Sequence, residues 1–91
     1  MNLSQVVEAL LFSAQKPLTA REIASALKGA GGEDEFTPNE FAKTSQAEVA
    51  AALEELKIGY GQEGRAFQLV EKAEGWQLAS DPQYAPWVRR L

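Results

Sequence analysis

The sequence contains no cysteine and no histidine among its 91 residues. Without a thiol or an imidazole there is no cysteine nucleophile, no disulfide, no zinc finger and no histidine base. No apolar run approaches the ~18 residues that a membrane-spanning helix needs. These absences favour a small binding domain over an enzyme and predict no membrane partner.

Positive charge is also scarce: 9 basic residues stand against 13 acidic ones, for a net charge of −4. A negative domain is not drawn nonspecifically to nucleic acid or to anionic lipid. The length predicts a single domain, and a domain of this size buries only roughly 60% of its unfolded surface. A partner or a second copy of the chain would therefore add useful stability.

Two helices are predicted near the start of the chain. The first has an apolar stripe with the spacing of one helix face, formed by Leu3, Val6, Val7, Leu10, Leu11 and Ala14. Leu18 and Thr19 then form a short extended piece. Thr19 and Glu22 are spaced as a capping box, which predicts a second helix over residues 20–28.

Residues 29–44 are predicted to be a flexible acidic insertion, because they combine glycines with the run Glu33-Asp34-Glu35. Three adjacent acids lack the alternating ligand spacing of a calcium loop. We therefore predict no metal site there.

A third helix is predicted to begin at the capping box of Ser45 and Glu48 and to run to about Ile58. Gly59 and Gly61 are predicted to end it. Glycine is a poor helix former, costing about 1 kcal/mol in a helix interior.

The last part of the chain predicts a β-hairpin and a final helix. Alternation predicts strands over residues 65–72 and 76–79, joined by a turn at 73–75 whose glycine adopts a positive φ. Asp81 and the proline after it predict a helix over residues 82–90.

This order of elements predicts an α+β, mostly α fold: a winged helix with a three-helix helix-turn-helix core, a β-hairpin wing and a C-terminal linker helix. Residues 1–80 form the winged-helix domain in this interpretation, and 81–91 form the linker helix.

No catalytic residue is predicted, because the serines have no base to activate them. Glu54 and Glu55 are adjacent and point to different parts of a helix surface, so they form no carboxylate pair. Residues 59–64 match the spacing GxGxxG, but they follow a helix and precede a strand, the reverse of a dinucleotide site. We predict no cofactor.

The third helix is unsuited to reading DNA. Its exposed face is predicted to carry Glu48, Glu54 and Glu55, whereas groove binding needs basic or amide side chains. Arg65 and Lys72 of the wing offer two isolated cations that could touch a phosphate. Direct DNA binding is therefore disfavoured, and a protein partner is favoured.

Four apolar side chains are candidates for protein interaction: Phe12, Ile58, Tyr84 and Trp87. Phe12 lies off the buried stripe of the first helix, beside Glu8. It is either an exposed anchor or is packed under a loop, and the same alternatives hold for Ile58. Tyr84 and Trp87 either contact a partner or cap the core beside the hairpin.

Two blocks of sequence resemble the segregation and condensation protein B family. They are VVEALLFSAQKPLTAREIASAL at residues 6–27 and GRAFQLVEKAEGWQLASDPQYAPWVRRL at residues 64–91. The most specific part is the run YAPWVRRL at residues 84–91. Residues 29–44 look like an insertion relative to the family.

The resemblance implies a non-enzymatic accessory subunit of the bacterial SMC–kleisin condensin complex, acting in chromosome condensation and segregation in the cytoplasm, at the nucleoid. It implies a homodimer that binds the kleisin subunit, segregation and condensation protein A, and through it SMC. It further implies a second winged-helix domain, absent from these 91 residues, toward which the linker helix leads. The alternatives are a winged-helix transcriptional regulator that binds DNA and an accessory domain of an enzyme.

Overall fold

A computed structural model describes residues 1–29 and 40–91. Three helices come first, then a hairpin, and a short helical segment follows: α1 (Leu3–Ser13), α2 (Ala20–Gly29), α3 (Gln46–Glu63), β1 (Phe67–Lys72), β2 (Gly75–Ser80), a 3₁₀ turn (Pro82–Tyr84) and α4 (Ala85–Val88). The predicted winged-helix architecture is confirmed. Most of the predicted insertion, residues 30–39, lies outside the described residues.

Capping boxes begin the three main helices. The Asn2 side chain accepts from the Gln5 N–H at 2.9 Å, and the Gln5 side chain accepts from the Asn2 N–H at 3.0 Å. The same reciprocal pairs join Thr19 to Glu22 and Ser45 to Glu48, at 3.0–3.1 Å. Both predicted boxes are therefore confirmed. Each capping box gives a hydrogen-bond partner to two main-chain N–H groups that would otherwise be unpaired at the start of a helix.

The predicted end of α3 at Ile58 is wrong, because the helix continues through Gly59 and Gly61 to Glu63. Tyr60 explains the extension: it lies on the inward stripe and is buried in the core. Burying a large aromatic side chain offsets the helix-forming cost of two glycines. The helix ends instead at Gly64, whose φ of 63° is left-handed.

The hairpin pairs β1 with β2 in antiparallel register, from Phe67 opposite Ser80 to Lys72 opposite Gly75. The loop is therefore shorter than predicted, with only residues 73 and 74 between the strands. Gly75 has the predicted positive φ, at 134°. It also lies against Leu18: a Cβ at Gly75 would be 2.5 Å from the Leu18 carbonyl carbon.

Leu18 pairs with the hairpin at Trp76, as the predicted extended piece requires. The Leu18 N–H donates to the Trp76 carbonyl at 2.9 Å, and the Trp76 N–H donates to the Leu18 carbonyl at 2.7 Å. The hairpin is thereby held against the α1–α2 connection.

The core lies between the three helices and one face of the hairpin. Its buried members come from every one of these elements: Val7, Leu11, Ile23, Leu27, Val49, Ala52, Leu53, Tyr60, Leu69 and Trp76. Of the stripe predicted for α1, Val7 and Leu11 are core members, and Leu3, Val6 and Leu10 pack against the core.

The continuous helix predicted over residues 82–90 is wrong. A 3₁₀ turn and the short α4 replace it. Pro86 has no N–H to donate to the Pro82 carbonyl, so that carbonyl accepts from the Ala85 N–H, as in a 3₁₀ turn. The predicted cap at Asp81 is present: its side chain accepts from the Gln83 N–H at 3.0 Å.

Candidate functional site

An apolar groove runs between the end of α1 and the hairpin. We call it the wing groove, and it encloses about 430 Å³ between these residues: Leu11, Phe12, Ala14, Ala66, Phe67, Gln77, Leu78, Ala79 and Ser80. None of these lining residues, all within the described part of the chain, carries a charge. A surface of this composition is typical of contact with another protein.

Phe12 stands at the rim of the wing groove with 83% of its surface exposed. A second depression of about 260 Å³ continues along α1 and shares Phe12, Phe67 and Leu78 with the wing groove. Phe12 is therefore not packed under a loop within the described part of the chain.

The other side of α1 is different in character. Two depressions between α1 and α3, of about 450 and 140 Å³, share Ser4 and Glu55. Together they form what we call the acidic groove, with the carboxylates of Glu8, Glu48, Glu55 and Glu63 in its lining. Arg65 is the basic residue in this lining, and it forms an ion pair with Glu63.

Tyr60 and Glu8 lie where the two surfaces meet. The Tyr60 hydroxyl donates a hydrogen bond to the Glu8 carboxylate. The Tyr60 ring contacts Phe67 with centroids 5.3 Å apart, and the Arg65 guanidinium lies 5.6 Å from its centre. Burial, and after it the hydrogen bond to Glu8, raise the pKa of Tyr60 to about 12. Tyr60 is therefore a neutral donor at ordinary pH.

The four predicted interaction residues do not form one site. Phe12 lines the wing groove, whereas Ile58 lies on the exposed side of α3, with 57% of its surface accessible. Trp87 is 70% exposed on α4, and Tyr84 is half-buried in the 3₁₀ turn. The alternative in which Trp87 caps the core is wrong, because this side chain is neither a member of the core nor packed against it.

The wing groove contains two important residues that the sequence analysis did not propose, Phe67 and Leu78. Strand alternation places both on the same sheet face as Leu69 and Trp76, which was a usable signal. What the sequence did not contain is the position of this face beside the end of α1.

The charges for DNA contact are poorly placed. Glu48, Glu54 and Glu55 are exposed on α3, as predicted. Arg65 is engaged by Glu63 and Tyr60, and the Lys72 ammonium donates to the Gln77 side chain at 3.2 Å. Neither wing cation is thus held ready for a phosphate.

Residues 1–29 and 40–91 contain neither a membrane-spanning helix nor a cluster of metal ligands. No helix there has the length and apolar character to cross a bilayer. No group of three or more acidic side chains there is arranged to hold a metal ion. The acidic run at 33–35, considered above as a cation site, lies outside the described residues.

The fold and these surfaces define a class: a winged-helix domain whose main apolar groove suits contact with protein. Residues 5–91 match the family model of segregation and condensation complex subunit ScpB. The chain belongs to this family.

Curated relatives agree with the family model. Segregation and condensation protein B of Syntrophotalea carbinolica is 40% identical over 91 residues, which is all of this chain and 39% of the relative. The homolog from Coxiella burnetii is 33% identical over 86 residues, 94% of this chain and 35% of the relative. The chain thus spans about two fifths of the length of these relatives.

Solved structures of the family share the fold. ScpB from Mycobacterium tuberculosis matches with a TM-score of 0.75 and 25% identity, covering 97% of this chain and 46% of that one. A crystal structure of a dimer of the ScpB N-terminal domain complexed with ScpA peptide matches with a TM-score of 0.71 and 29% identity. That match covers 97% of this chain and 85% of the other.

Proposed function

We propose that this chain is the N-terminal winged-helix part of a non-enzymatic accessory subunit of a bacterial SMC–kleisin complex. In this role it self-associates and binds the kleisin, segregation and condensation protein A, in chromosome condensation and segregation. The observation that carries the proposal is the likeness, over 97% of the chain, to an ScpB N-terminal domain that was crystallised as a dimer with ScpA peptide.

We propose that residues 1–80 are the folded domain and that 81–91 lead to a second winged-helix domain. Support comes from the relatives, which are more than twice as long as this chain. The exposed apolar surface of α4 also fits a linker that is covered in the complete protein, since Trp87 is 70% exposed and Val88 is 44% exposed.

Phe12, Ile58, Tyr84 and Trp87 are proposed as contact residues for protein partners. They lie on separate surfaces, which suits a subunit that meets more than one partner at once. Exposed aromatic side chains are the groups that most often dominate protein interfaces.

Self-association is tested by sedimentation equilibrium of the 91-residue chain from micromolar to millimolar concentration. We expect a monomer–dimer equilibrium that Trp87→Ala weakens. Gln83→Ala is the matched control, because it alters an exposed side chain of the same segment. A strict monomer at millimolar concentration would contradict self-association in this domain.

Kleisin binding is tested by calorimetry with the kleisin encoded in the same genome. We expect saturable binding whose affinity depends weakly on salt, because the wing groove is uncharged. Absence of heat at all concentrations would contradict this part of the proposal.

A further inference from the structure

The segment 85–91, which we call the tail, has an apolar surface that the core of its own chain does not cover. Trp87, Val88 and Leu91 are exposed, and none of them belongs to the core or packs against it. A tryptophan buries about 150–250 Å² when it is covered. An exposed surface of this kind indicates contact with another protein surface.

The tail is also basic. Arg89 and Arg90 lie within three residues of Trp87, and their guanidinium groups form no ion pair within residues 1–29 and 40–91. Tryptophan and arginine are among the side chains that contribute most of the binding energy at protein interfaces. A surface that complements the tail is therefore apolar and has a carboxylate at its border.

The depression of about 260 Å³ along α1 has this composition, and we call it the α1 depression. Its lining, all within the described chain, consists of Gln5, Glu8, Ala9, Phe12, Tyr60, Phe67 and Leu78. Phe12 and Phe67 are both exposed aromatic residues. Glu8 is the charged residue of the lining. The α1 depression thus offers two aromatic rings and one carboxylate.

Glu8 has a carboxylate oxygen available to a basic partner. One of its oxygens accepts from the Tyr60 hydroxyl, and the other has no hydrogen bond or ion pair with the residues that the structure describes. Arg65 lines the acidic groove together with Glu8, but it pairs with Glu63 instead. A guanidinium from outside would therefore complete the pairing of Glu8, and such charged hydrogen bonds are stronger than neutral ones.

We propose that the tail of a second copy of this chain binds in the α1 depression. Trp87 of that copy contacts Phe12 and Phe67, and its two arginines lie against the Glu8 carboxylate. The inference rests on the self-association in the proposed function and names the two surfaces that meet. In a two-fold dimer each copy contributes its tail and receives the other one, so both contacts form twice.

The wing groove stays open in this arrangement. Phe12 belongs to both linings and stands between the second copy and the wing groove. Ala14, Ala66 and Ser80 line only the wing groove and remain available to the kleisin. A second copy and the kleisin can therefore be bound together.

The small size of this contact predicts a weak dimer. Two exchanged tryptophan side chains account for roughly 300–500 Å². Specific stable interfaces bury about 1,200–2,000 Å² in total. We therefore expect the 91-residue chain to dimerise at high micromolar rather than nanomolar concentration.

An exchange of charge tests the contact by sedimentation equilibrium. Glu8→Arg in one variant, and Arg89→Glu with Arg90→Glu in another, should each raise the dissociation constant of the dimer about fivefold or more. All three substitutions in one chain restore the attraction and should return this constant to within about twofold of the wild type. Glu74→Arg is the matched control, because it makes the same change of charge at an exposed residue of the hairpin loop. It should leave the dissociation constant unchanged.

Glu8→Gln is a milder variant in case Glu8→Arg does not fold. Its amide oxygen still accepts from the Tyr60 hydroxyl, so only the charge is removed. We expect it to weaken the dimer in the same direction as Glu8→Arg and by a smaller factor.

The fluorescence of Trp87 gives a readout that needs no change of charge. A tryptophan that leaves water emits at shorter wavelength, so we expect a blue shift that follows the fraction of dimer. Trp76 is buried in the monomer already, and the variant Trp87→Phe supplies its spectrum for subtraction.

Three results would overturn the inference. The first is a dimer whose dissociation constant is unchanged in folded Glu8→Arg and Glu8→Gln variants. The second is Trp87 emission that stays constant on dimerisation, and emission already blue-shifted in the monomer would instead favour the α1 depression of the same chain. The third is a dimer that dissociates when the kleisin is added to saturation, which would favour the kleisin as the occupant.

These measurements separate the inference from the proposed function. A dimer that the exchange of charge does not affect leaves the proposed self-association standing and removes the tail contact. A strict monomer at millimolar concentration removes the proposed self-association, and the inference with it.

Discussion

Helix α1 separates two grooves of opposite character. The wing groove on one side has no charged lining residue within the described chain, whereas the acidic groove on the other side contains four carboxylates. An uncharged apolar surface loses little when its water is displaced, but carboxylates must be paired or stay hydrated. The same helix therefore offers one side for burial against protein and keeps the other side in solvent.

The contrast between the two grooves also concerns the binding of nucleic acid. In a winged helix the third helix is the one that would enter a DNA groove, and here that helix forms a wall of the acidic groove. Phosphates and carboxylates repel each other, and the repulsion is strongest at low salt. Exposed carboxylates of α3 thus lie where a DNA-reading winged helix needs basic or amide side chains.

The largest effect is expected from Gly75→Ala, which would break the wing groove and spare the acidic groove. The new Cβ would meet the Leu18 main chain at 2.5 Å, and alanine disfavours a φ of 134°. We expect a loss of about 3 kcal/mol in the free energy of unfolding, measured by urea denaturation.

Gly59→Ala is the control for this substitution. Gly59 lies inside α3 with no atom within 4 Å of the added Cβ. The change should stabilise the domain by about 0.5–1 kcal/mol, because alanine is the better helix former. Equal losses in the two variants would contradict the role assigned to the Leu18 contact.

Next in size is the pH dependence at the border between the two grooves. The folded pKa of Tyr60 is about 12, above its usual value of 10.0, so the neutral hydroxyl is favoured by folding. The resulting stability is complete below about pH 10 and is lost as the pH rises toward 12. We expect a decrease of about 2 kcal/mol across this window, by urea denaturation at each pH.

Tyr60→Phe isolates this effect from other groups that titrate in the same range. Phenylalanine keeps the ring against Phe67 but has no hydroxyl to donate to Glu8. The difference in the free energy of unfolding between wild type and variant should therefore shrink as the pH rises. A difference that stays constant from pH 9 to pH 12 would refute the assignment.

A smaller effect, on binding alone, is expected from Phe12→Ala. Because Phe12 is 83% exposed, folding stability should change by no more than about 0.5 kcal/mol. Kleisin affinity should fall by about 1–2 kcal/mol, measured by calorimetry. Glu55→Ala in the acidic groove is the matched change on the other side of α1 and should leave the affinity unaltered.

The smallest expected signal is DNA binding. A gel shift with a short duplex at low ionic strength should show no retarded band for the wild type. Glu54→Lys combined with Glu55→Lys should introduce weak, salt-sensitive retardation, because it changes the summed charge of these two positions from −2 to +2. A retarded band of the wild type that weakens as salt is added would contradict the view that the charges of α3 are unsuited to DNA.

Local patterns predicted the fold well. The capping boxes at Thr19 and Ser45 and the strand alternation after Gly64 each depend on residues close together in sequence. Such signals specify which elements form. They do not specify their exact ends: α3 passes two glycines because Tyr60 is buried against the core, which is a tertiary effect.

The candidate site was predicted only in part. Phe12 was recognisable as an apolar residue off its helix stripe, but Phe67 and Leu78 became its neighbours through packing. A surface groove is lined by segments that are distant in the sequence. Hydrophobic periodicity does not indicate which of these segments come into contact.

The bridge between Leu18 and Trp76 has a consequence for biosynthesis. It joins the first third of the chain to its last quarter, so this contact closes only after the hairpin has left the ribosome. Until then the core lacks its two buried members from the hairpin, Leu69 and Trp76. We therefore expect a nascent chain to stay protease-sensitive until Ser80 has left the ribosome. Its helices and hairpin should then become resistant in one late cooperative step.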